Sequence, residues 1–280
     1  MRGNNFIERS LMGAFSFLKE SIFSEEYASK KGFLQAREPR IKFVSILIFL
    51  LAVLFFRSIY FLIGMYAFCL VLAGLSSIRL GFFLKRTWIF IPLFSFFIAL
   101  PALFNIFTPG EPVLSFRIFI FSLSITKQGI ASASFFFMRV LTSVSLCVLL
   151  VLTTRHYILL KVLRIFRVPQ VFVMTLGMCY RYVYLFIEII ENTYLAIKSR
   201  VGRVSSVKSG QGIVAWNIAS LWQRSYQLNE DVYKAMLSRG YRGEPVVLND
   251  FRIKAIDWVW LFIAILISGS VFYLTYRIKI

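Results

Sequence analysis

The distribution of apolar residues along the chain is typical of a protein that crosses a membrane several times. Long stretches rich in Phe, Leu, Ile and Val alternate with short basic or Gly/Pro-containing breaks. A transmembrane helix needs about 20 predominantly apolar residues. The pattern predicts five such helices, with a tight turn at Arg57-Ser58 between the first two. The predicted helices cover approximately Ile41–Phe56, Ile59–Ser76, Trp88–Phe107, Gly129–Leu152 and Ile256–Tyr276.

A break in the helical pattern follows the third predicted span. Residues 108–112 read Thr-Pro-Gly-Glu-Pro, which cannot continue a helix because of its two prolines and its glycine. Beyond the break, apolar residues recur at every second position from Leu114 to Ile120, a period typical of a strand. The sequence therefore predicts a short hairpin or surface strand here.

The segment of residues 168–190 is apolar enough to be a sixth span, but an arginine and a glutamate interrupt it. Five spans with the N-terminus inside place residues 1–42, 77–87 and 154–255 in the cytoplasm, where they carry 26 of the 32 lysines and arginines. This distribution agrees with the excess of Lys and Arg in cytoplasmic segments. A sixth span would move much of the basic stretch 191–254 outside, so the charges favour five spans.

The composition excludes a soluble fold. Of the 280 residues, 59% are hydrophobic and 16% are charged, whereas a soluble domain has roughly 25% charged residues. The net charge of +19 accompanies 31 phenylalanines, so we expect no binding to nucleic acid. The combination predicts an all-α, multi-pass integral protein of the cell membrane, embedded in the lipid bilayer, with about five transmembrane helices and a cytoplasmic insertion before the last one.

The predicted organisation has four parts. They are an N-terminal cytoplasmic or interfacial segment (1–40), a four-helix transmembrane region (41–153), a cytoplasmic domain with two long helices (154–255) and a C-terminal transmembrane helix (256–280). Apolar residues of the first part fall on one helical face, typical of an amphipathic helix at the membrane interface. A polar cytoplasmic tail is the alternative. The residues of that face are Ile7, Leu11, Phe15, Leu18 and Ile22.

The insertion carries a repeated motif. A short amphipathic helix is predicted at Ile158–Phe166, and two longer helical patterns follow, separated by the Gly/Ser-rich stretch Val201–Gly212. Both longer patterns end in Ala-x-x-Ser-Arg, and the two copies are offset by 39 residues. The copies are Ala196–Arg200 and Ala235–Arg239.

The chemistry of this motif suits a docking contact. The alanine, one turn before the arginine, leaves room for a neighbouring surface. A cation at a helix C-terminus is stabilised by about 0.3–1 kcal/mol, and a guanidinium can hold a carboxylate through two parallel hydrogen bonds. Gly202 and Gly240 follow the two copies and favour a helix stop. The alternative is two ordinary arginines that end solvated helices; their repetition at equivalent helix ends favours docking.

These segments resemble the T components of energy-coupling factor (ECF) transporters, specifically their CbiQ-like cobalt/nickel branch. Arg224-Ser225-Tyr226, followed by residues 235–243, resembles the second coupling motif of that family. Tyr180-Arg181-Tyr182, followed by Glu188 and residues 196–200, resembles the first. The similarity extends from about residue 40 to 276. Further agreement lies at residues 107–111, 126–129 with Arg139, 153–154 and 168–169.

The resemblance implies a non-catalytic permease subunit of an ATP-driven importer. Two cytoplasmic ATP-binding subunits dock beneath it, and a separate membrane subunit captures cobalt or nickel. The central arginine of each coupling motif inserts into a groove of an ATPase. The implied coupling residues are Ser199, Arg200, Val201, Ser238, Arg239 and Gly240, supported by Ala196 and Ala235. The first copy departs from the family pattern, because Val201 stands where a glycine is usual.

The sequence lacks the motifs of a catalytic or metal-binding protein. It has no Gly-x-x-x-x-Gly-Lys-Ser/Thr loop for ATP. His156 is its single histidine, whereas a metal site needs several ligands with defined spacing. We therefore expect no catalytic residue, no metal site and no cofactor in this chain.

Two features within or beside the predicted spans invite interpretation. Arg139, inside the fourth span, is either a functional residue or a structural partner for backbone carbonyls. Trp88, Trp258 and Trp260 stand at predicted span starts and are expected to anchor the helices at the membrane interface.

Two other functions are alternatives to the T component. A self-sufficient secondary transporter or channel is disfavoured, because the first, second and fifth spans carry almost no ionisable groups and no pair of matching broken helices is evident. An integral membrane enzyme would need clustered acids or histidines, whereas the insertion has six acids among 15 bases.

Overall fold

The described part of the chain divides into two compact units. A computed structural model describes residues 13, 27–30, 32–56, 58–89, 91–103, 112–118, 121–201, 207–243 and 253–277. Within these ranges, one unit is formed by residues from 27 to His156 and from 253 onwards, and the other by residue 13 and the residues from Tyr157 to 243. We call them the bundle unit and the insertion unit.

The described elements are mainly helical, which confirms the all-α fold class. The bundle unit contains α1 (Pro39–Phe55), α2 (Ile59–Leu75), α3 (Leu80–Trp88), α4 (Ile91–Ala99), a 3-10 turn (Leu100–Leu103), β1 (Pro112–Ile118), β2 (Phe121–Thr126), α5 (Lys127–Thr153) and α9 (Ala255–Arg277). The insertion unit contains α6 (His156–Ile165, from its second residue), α7 (Gln170–Val201) and α8 (Val207–Ser238).

Apolar side chains occupy both the inside and the outside of the bundle unit. The helix α5 packs against α1, α2 and α4, and α9 packs against α1. Phe49, Leu62 and Leu149 lie in the resulting core, whereas Phe94 and Phe262 are exposed. A helix that is apolar on all sides is typical of a membrane span, so the bundle unit has the surface of a membrane-embedded protein.

Three described stretches are long and apolar enough to cross a bilayer by length and composition: Leu80–Ala99, Lys127–Thr153 and Gln170–Ile197. Ile59–Leu75 and Ala255–Ser270 are apolar but shorter. The first two stretches and the shorter helices overlap predicted spans. The stretch Gln170–Ile197 falls in the segment that the charge distribution assigns to the cytoplasm.

The third span begins earlier than predicted. The helix α3 starts at Leu80, and the basic residues Lys85 and Arg86 lie within it instead of breaking the helical pattern. Phe83 and Thr87, one turn apart, are buried, whereas Lys85 is exposed. The predicted start at Trp88 was therefore wrong, because α3 is amphipathic and carries its charges on the outer face.

The separator between the two long helices is shorter than predicted. The helix α8 begins at Val207, so the second half of the Gly/Ser-rich stretch is helical. The short helix predicted at Ile158–Phe166 is present as α6. The apolar face predicted between Ile7 and Ile22, the break at residues 108–111 and Gly202 lie outside the described residues.

The predicted hairpin is confirmed. Strands β1 and β2 pair antiparallel, from Pro112 with Thr126 to Ile118 with Phe121, with a register irregularity near the first pair. Thr126 then caps α5, because its Oγ1 accepts a hydrogen bond from the backbone N–H of Gly129 at 3.1 Å. The hairpin therefore leads directly into α5, two residues before the predicted span.

One end of the bundle unit, which we call the anchor end, gathers the starts of α1 and α9 and the ends of α2 and α5. Lys42 Nζ, in α1, donates two hydrogen bonds to the end of α5. The acceptors are Thr153 O, at 3.0 Å, and Thr154 Oγ1, at 3.1 Å. Asp257 Oδ1, in the first turn of α9, accepts one from the backbone N–H of Glu38 at 3.3 Å. The chain thus leaves α5 and returns into α9 at the same end.

Residues 32–38 complete the anchor end by packing on the end of α2. The backbone N–H of Leu34 donates to Ser76 Oγ at 3.4 Å, and Gln35 Nε2 donates to Ser76 O at 2.9 Å. Gly32 lies so close that a Cβ there would be 2.8 Å from the backbone C and O of Ser76. Residues 32–38 are therefore part of the bundle unit.

Arg139 makes a structural contact with the α1–α2 junction. Its Nη2 donates a hydrogen bond to the carbonyl O of Phe56 at 2.9 Å. Its guanidinium also lies over the ring of Phe135, 4.5 Å from the centroid. The interpretation as a structural partner for a backbone carbonyl is thereby confirmed.

The predicted interfacial tryptophans have different environments. Trp88 and Trp258 are exposed, as expected of interfacial anchors. Trp260 is only 7% exposed, and its Nε1 donates a hydrogen bond to Ser45 Oγ at 3.1 Å. The prediction was wrong for Trp260, because this side chain joins α9 to α1 within the bundle.

Candidate functional site

The first predicted coupling motif ends the helix α7. Ser199 and Arg200 are exposed, and Val201 is the last helical residue. Ser199 Oγ donates a hydrogen bond to the backbone O of Ala196 at 2.9 Å, so this side chain folds back onto the last turns of the helix. The arginine therefore projects from a serine-braced C-terminal turn.

The second predicted coupling motif ends the helix α8 in a Schellman motif. The backbone N–H of Gly240 donates to Leu237 O at 3.0 Å, and that of Tyr241 donates to Met236 O at 3.0 Å. Gly240 has a φ of 82°, a left-handed conformation that glycine adopts without steric cost. The predicted role of Gly240 as the helix stop is confirmed, and Arg239 stands just before it.

The two motifs share the same local geometry. Ser238 Oγ donates to the backbone O of Ala235 at 2.9 Å, as Ser199 does to Ala196. Arg200 and Arg239 are exposed, and no hydrogen bond or ion pair within the described residues engages either guanidinium. Each helix end therefore presents a cation that can bind an external carboxylate.

The two arginines lie at opposite ends of the helix pair. Tyr241, two residues after Arg239, donates a hydrogen bond from its hydroxyl to Met174 Sδ near the start of α7, at 3.4 Å. Arg200 lies at the other end of α7, 26 residues after Met174, which at 1.5 Å per residue is about 40 Å along the helix axis. The arrangement therefore offers two separate contact points.

The apolar faces of the two long helices are only partly covered within the insertion unit. Ile189 of α7 and Leu228 and Val232 of α8 are half-buried, and Leu185 is exposed. On α8, Trp222 is 80% exposed. Large exposed apolar side chains mark a surface that contacts other molecules, so the insertion unit has apolar surface available for a partner.

Sequence reasoning missed the polar residues of the anchor end. Lys42 and Asp257 are only 1% and 2% exposed, although the charge pattern predicts Lys42 in a cytoplasmic segment and nothing in the sequence predicts a role for Asp257. Glu38 is also buried, with Arg40 Nε 3.2 Å from its Oε1, and burial raises the pKa of its carboxyl group. The sequence does contain one indication of these contacts, a charged residue at the start of an apolar segment. Burial of such a charge is unfavourable unless the charge is paired.

Metal-ligating residues are scattered in the described part of the chain. Within it, no group of three or more His, Cys, Asp or Glu side chains is placed to hold a metal ion. The three cysteines, Cys69, Cys147 and Cys179, are unpaired.

A known protein family matches most of this chain. The family model CbiQ, described as cobalt transport protein, matches residues 30–248. The chain belongs to the CbiQ family. The match covers both arginine-bearing helix ends and the anchor-end residues of α1, so these features lie in the part of the chain shared with other CbiQ proteins.

Three relatives of this CbiQ-family chain add to the comparison. An uncharacterized protein of Methanocaldococcus jannaschii is 36% identical over 275 residues, 95% of this chain and 91% of the relative. A second uncharacterized protein of that organism is 31% identical over 149 residues, 53% of this chain and 55% of the relative. The energy-coupling factor transporter transmembrane protein EcfT of Streptococcus thermophilus is 28% identical over 243 residues, 80% of this chain and 86% of the relative.

Proposed function

We propose that this CbiQ-family protein is the transmembrane T component of an ECF-type importer of cobalt or nickel. It acts as a non-catalytic scaffold that couples ATP hydrolysis by two cytoplasmic ATPases to uptake through a separate substrate-capture subunit in the membrane. Membership of the cobalt transport protein family and similarity to EcfT support this proposal.

The observation that carries the proposal is the matched pair of arginines at the ends of α7 and α8. Each guanidinium is exposed and has no partner within the described residues, and each follows a serine that braces its helix end. A rigid helix that ends in a cation transmits a push at a defined point, whereas a flexible loop cannot. The expected counterpart on an ATPase is a groove with acidic side chains.

The separation of the arginines supports two docking events. About 40 Å of helix lies between Arg200 and the Met174–Tyr241 contact beside Arg239. A single groove cannot receive both helix ends at once. Two ATPase subunits, one at each end, satisfy this geometry.

The anchor end supports a cytoplasmic N-terminus and insertion. The chain leaves α5 and returns into α9 at one end of the bundle, next to the start of α1. Between these points it crosses the bilayer an even number of times. A crossing by α7 would need a second crossing to return, and α8 is not among the described helices that are long and apolar enough. The basic residues of the insertion then face the cytoplasm.

The test is charge reversal at the second helix end. We expect Arg239→Glu to insert normally but to retain fewer ATPase chains on purification from native membranes, because the carboxylate repels an acidic groove. Its ATP-driven uptake of radiolabelled Co²⁺ or Ni²⁺ should fall in parallel. Lys234→Glu is the control, since it makes the same charge change at an exposed position of the same helix.

Equal losses in both variants would mean that general charge, not the helix end, matters. Undiminished uptake by Arg239→Glu would refute the coupling role. A wild-type protein that purifies without ATPases and transports alone would instead be a self-sufficient transporter.

A further inference from the structure

Both ends of the insertion are fastened to the same short stretch of chain. The stretch comprises residues 37–42, just before and within the first turn of α1, and we call it the anchor turn. The chain at the end of α5 accepts hydrogen bonds from Lys42, and Asp257, in the first turn of α9, contacts Glu38 and Arg37. None of these contacts involves the arginine-bearing ends of α7 and α8.

The departing end is held by a buried ammonium group. Lys42 Nζ donates to Thr153 O and Thr154 Oγ1, and all three residues are buried. A second contact lies just beyond, where Arg155 Nε and Nη2 donate to Ser29 Oγ at 3.2 and 3.1 Å. These bonds fix the backbone at the point where α5 gives way to the insertion.

The returning end is held by a buried carboxylate. Asp257 Oδ2 accepts the backbone N–H of Lys254 at 3.1 Å, which caps α9. Its Oδ1 accepts the backbone N–H of Glu38 at 3.3 Å and lies 4.0 Å from Arg37 Nη1. One side chain therefore ties the start of α9 to the start of α1.

The anchor turn is both short and stiff. Glu38 and Lys42 are four residues apart, which corresponds to about 6 Å along a helix. Buried charged groups that lose a partner are strongly penalised, so these contacts resist separation. A displacement of either end of the insertion must therefore move α1, or break a buried polar contact.

We propose that the anchor turn is the element through which movement of the insertion reaches the membrane bundle, with Lys42 and Asp257 as its positioning residues. This proposal rests on the function proposed above. In this arrangement the ATPases move the insertion, and the anchor turn converts that movement into a displacement of α1 together with α5 and α9. The anchor contacts thus serve coupling, beyond their contribution to the stability of the fold.

The experiment uses the complete complex with its ATPases in proteoliposomes. Lys42→Met keeps most of the side-chain volume but removes the donor, and Asp257→Asn leaves one oxygen where two backbone N–H groups need acceptors. Thr142→Val is the control, because Thr142 is equally buried in α5 but its hydroxyl contacts Met138 O of its own helix at 2.8 Å and Leu62 O of α2 at 3.5 Å, neither of which belongs to the anchor turn. Three quantities are measured: ATPase chains retained, ATP hydrolysis, and uptake of radiolabelled Co²⁺.

We expect both anchor variants to retain their ATPases and hydrolyse ATP. Because mutations along a coupling path weaken coupling several-fold, Co²⁺ taken up per ATP hydrolysed should fall about threefold or more. Thr142→Val should keep the wild-type ratio. An unchanged ratio in the anchor variants, or an equal fall in Thr142→Val, would overturn the proposal.

Two further outcomes remain distinguishable. If Lys42→Met does not insert, Thr154→Val removes a single acceptor without changing side-chain shape and should lower the same ratio less; an unchanged ratio there overturns the proposal. If the wild-type protein itself retains no ATPase or takes up no Co²⁺, the proposed function fails and this inference falls with it.

Discussion

The guanidinium of Arg139, in α5, donates a hydrogen bond to the backbone carbonyl of Phe56, where α1 ends. A carbonyl at a helix terminus has no partner within its own helix, and hydrocarbon offers no water to replace one. The cation therefore satisfies a backbone group that the tight connection between α1 and α2 leaves open. This explains how an arginine is retained inside an apolar bundle.

Replacement of this arginine should weaken the bundle. We expect Arg139→Met to lower the free energy of unfolding in detergent by about 1–3 kcal/mol, because the carbonyl of Phe56 loses its donor. Arg139→Lys keeps a cation but loses the planar fork, and should lie between wild type and Arg139→Met. Equal stability of all three proteins would show that the contact contributes nothing.

Gly240 should tolerate a side chain poorly because of its backbone conformation alone. A Cβ at Gly240 meets nothing within 4 Å, but its φ of 82° is left-handed. We expect Gly240→Ala to destabilise the end of α8 by about 1 kcal/mol and to reduce ATPase retention.

Gly212 provides the control for this substitution. It lies within α8, again with nothing within 4 Å of an added Cβ. Gly212→Ala should stabilise the helix by about 0.5–1 kcal/mol. Thermal unfolding followed by circular dichroism compares the two variants, and shifts of the same sign would contradict the assignment of the helix stop.

Gly32 should tolerate a side chain poorly because of close packing. A Cβ there would lie 2.8 Å from the backbone of Ser76, at the end of α2. We expect Gly32→Ala to destabilise the bundle by about 1–3 kcal/mol through overpacking. Gly74→Ala, within α2 and in open space, should be neutral or stabilising. Unfolding in denaturant measures both, and an unperturbed Gly32→Ala would show that residues 32–38 move aside freely.

Glu38 should make stability depend on pH. Burial raises the pKa of its carboxyl group in the folded protein, so folding favours the protonated acid. The resulting stabilisation is present below the ordinary glutamate pKa of about 4.3 and is lost as pH rises through the higher folded value. Glu38→Gln should remove this loss of stability at higher pH, because the amide does not ionise.

The measurement is the free energy of unfolding of wild type and Glu38→Gln between acidic and neutral pH. The difference between them should grow toward neutral pH in favour of the variant. A constant difference for Glu38→Gln would mean that Arg40, 3.2 Å away, offsets the burial completely.

Hydrophobic pattern predicted the helices well where both faces are apolar. The predicted spans at 41–56 and 59–76 match α1 and α2 within two residues, since their length and apolar character leave no other structure in a bilayer. The pattern failed for α3, because adjacent lysine and arginine looked like a break although both lie within a helix. It also failed at residues 207–212, where glycine and serine cost a long helix only about 0.5–1 kcal/mol each.

The candidate site was predicted from local sequence, and the anchor end was not. The motif Ala-x-x-Ser-Arg is contiguous in sequence and stands at a helix end in both copies. Arg200 and Arg239 could therefore be predicted from the repetition of this motif alone. Lys42 meets Thr153 across 111 residues, and Asp257 meets Glu38 across 219. Such contacts depend on which helix ends come together in three dimensions, and a single sequence carries no periodicity that reports them.

The fastening of both ends of the insertion to one helical turn makes the protein modular. The bundle holds together through α1, α5 and α9, whose mutual contacts do not pass through the insertion. The chain between Thr154 and Lys254 can therefore be exchanged for that of another family member without rebuilding the bundle, because its two attachment points lie side by side. Partner choice and membrane anchoring can thus vary separately.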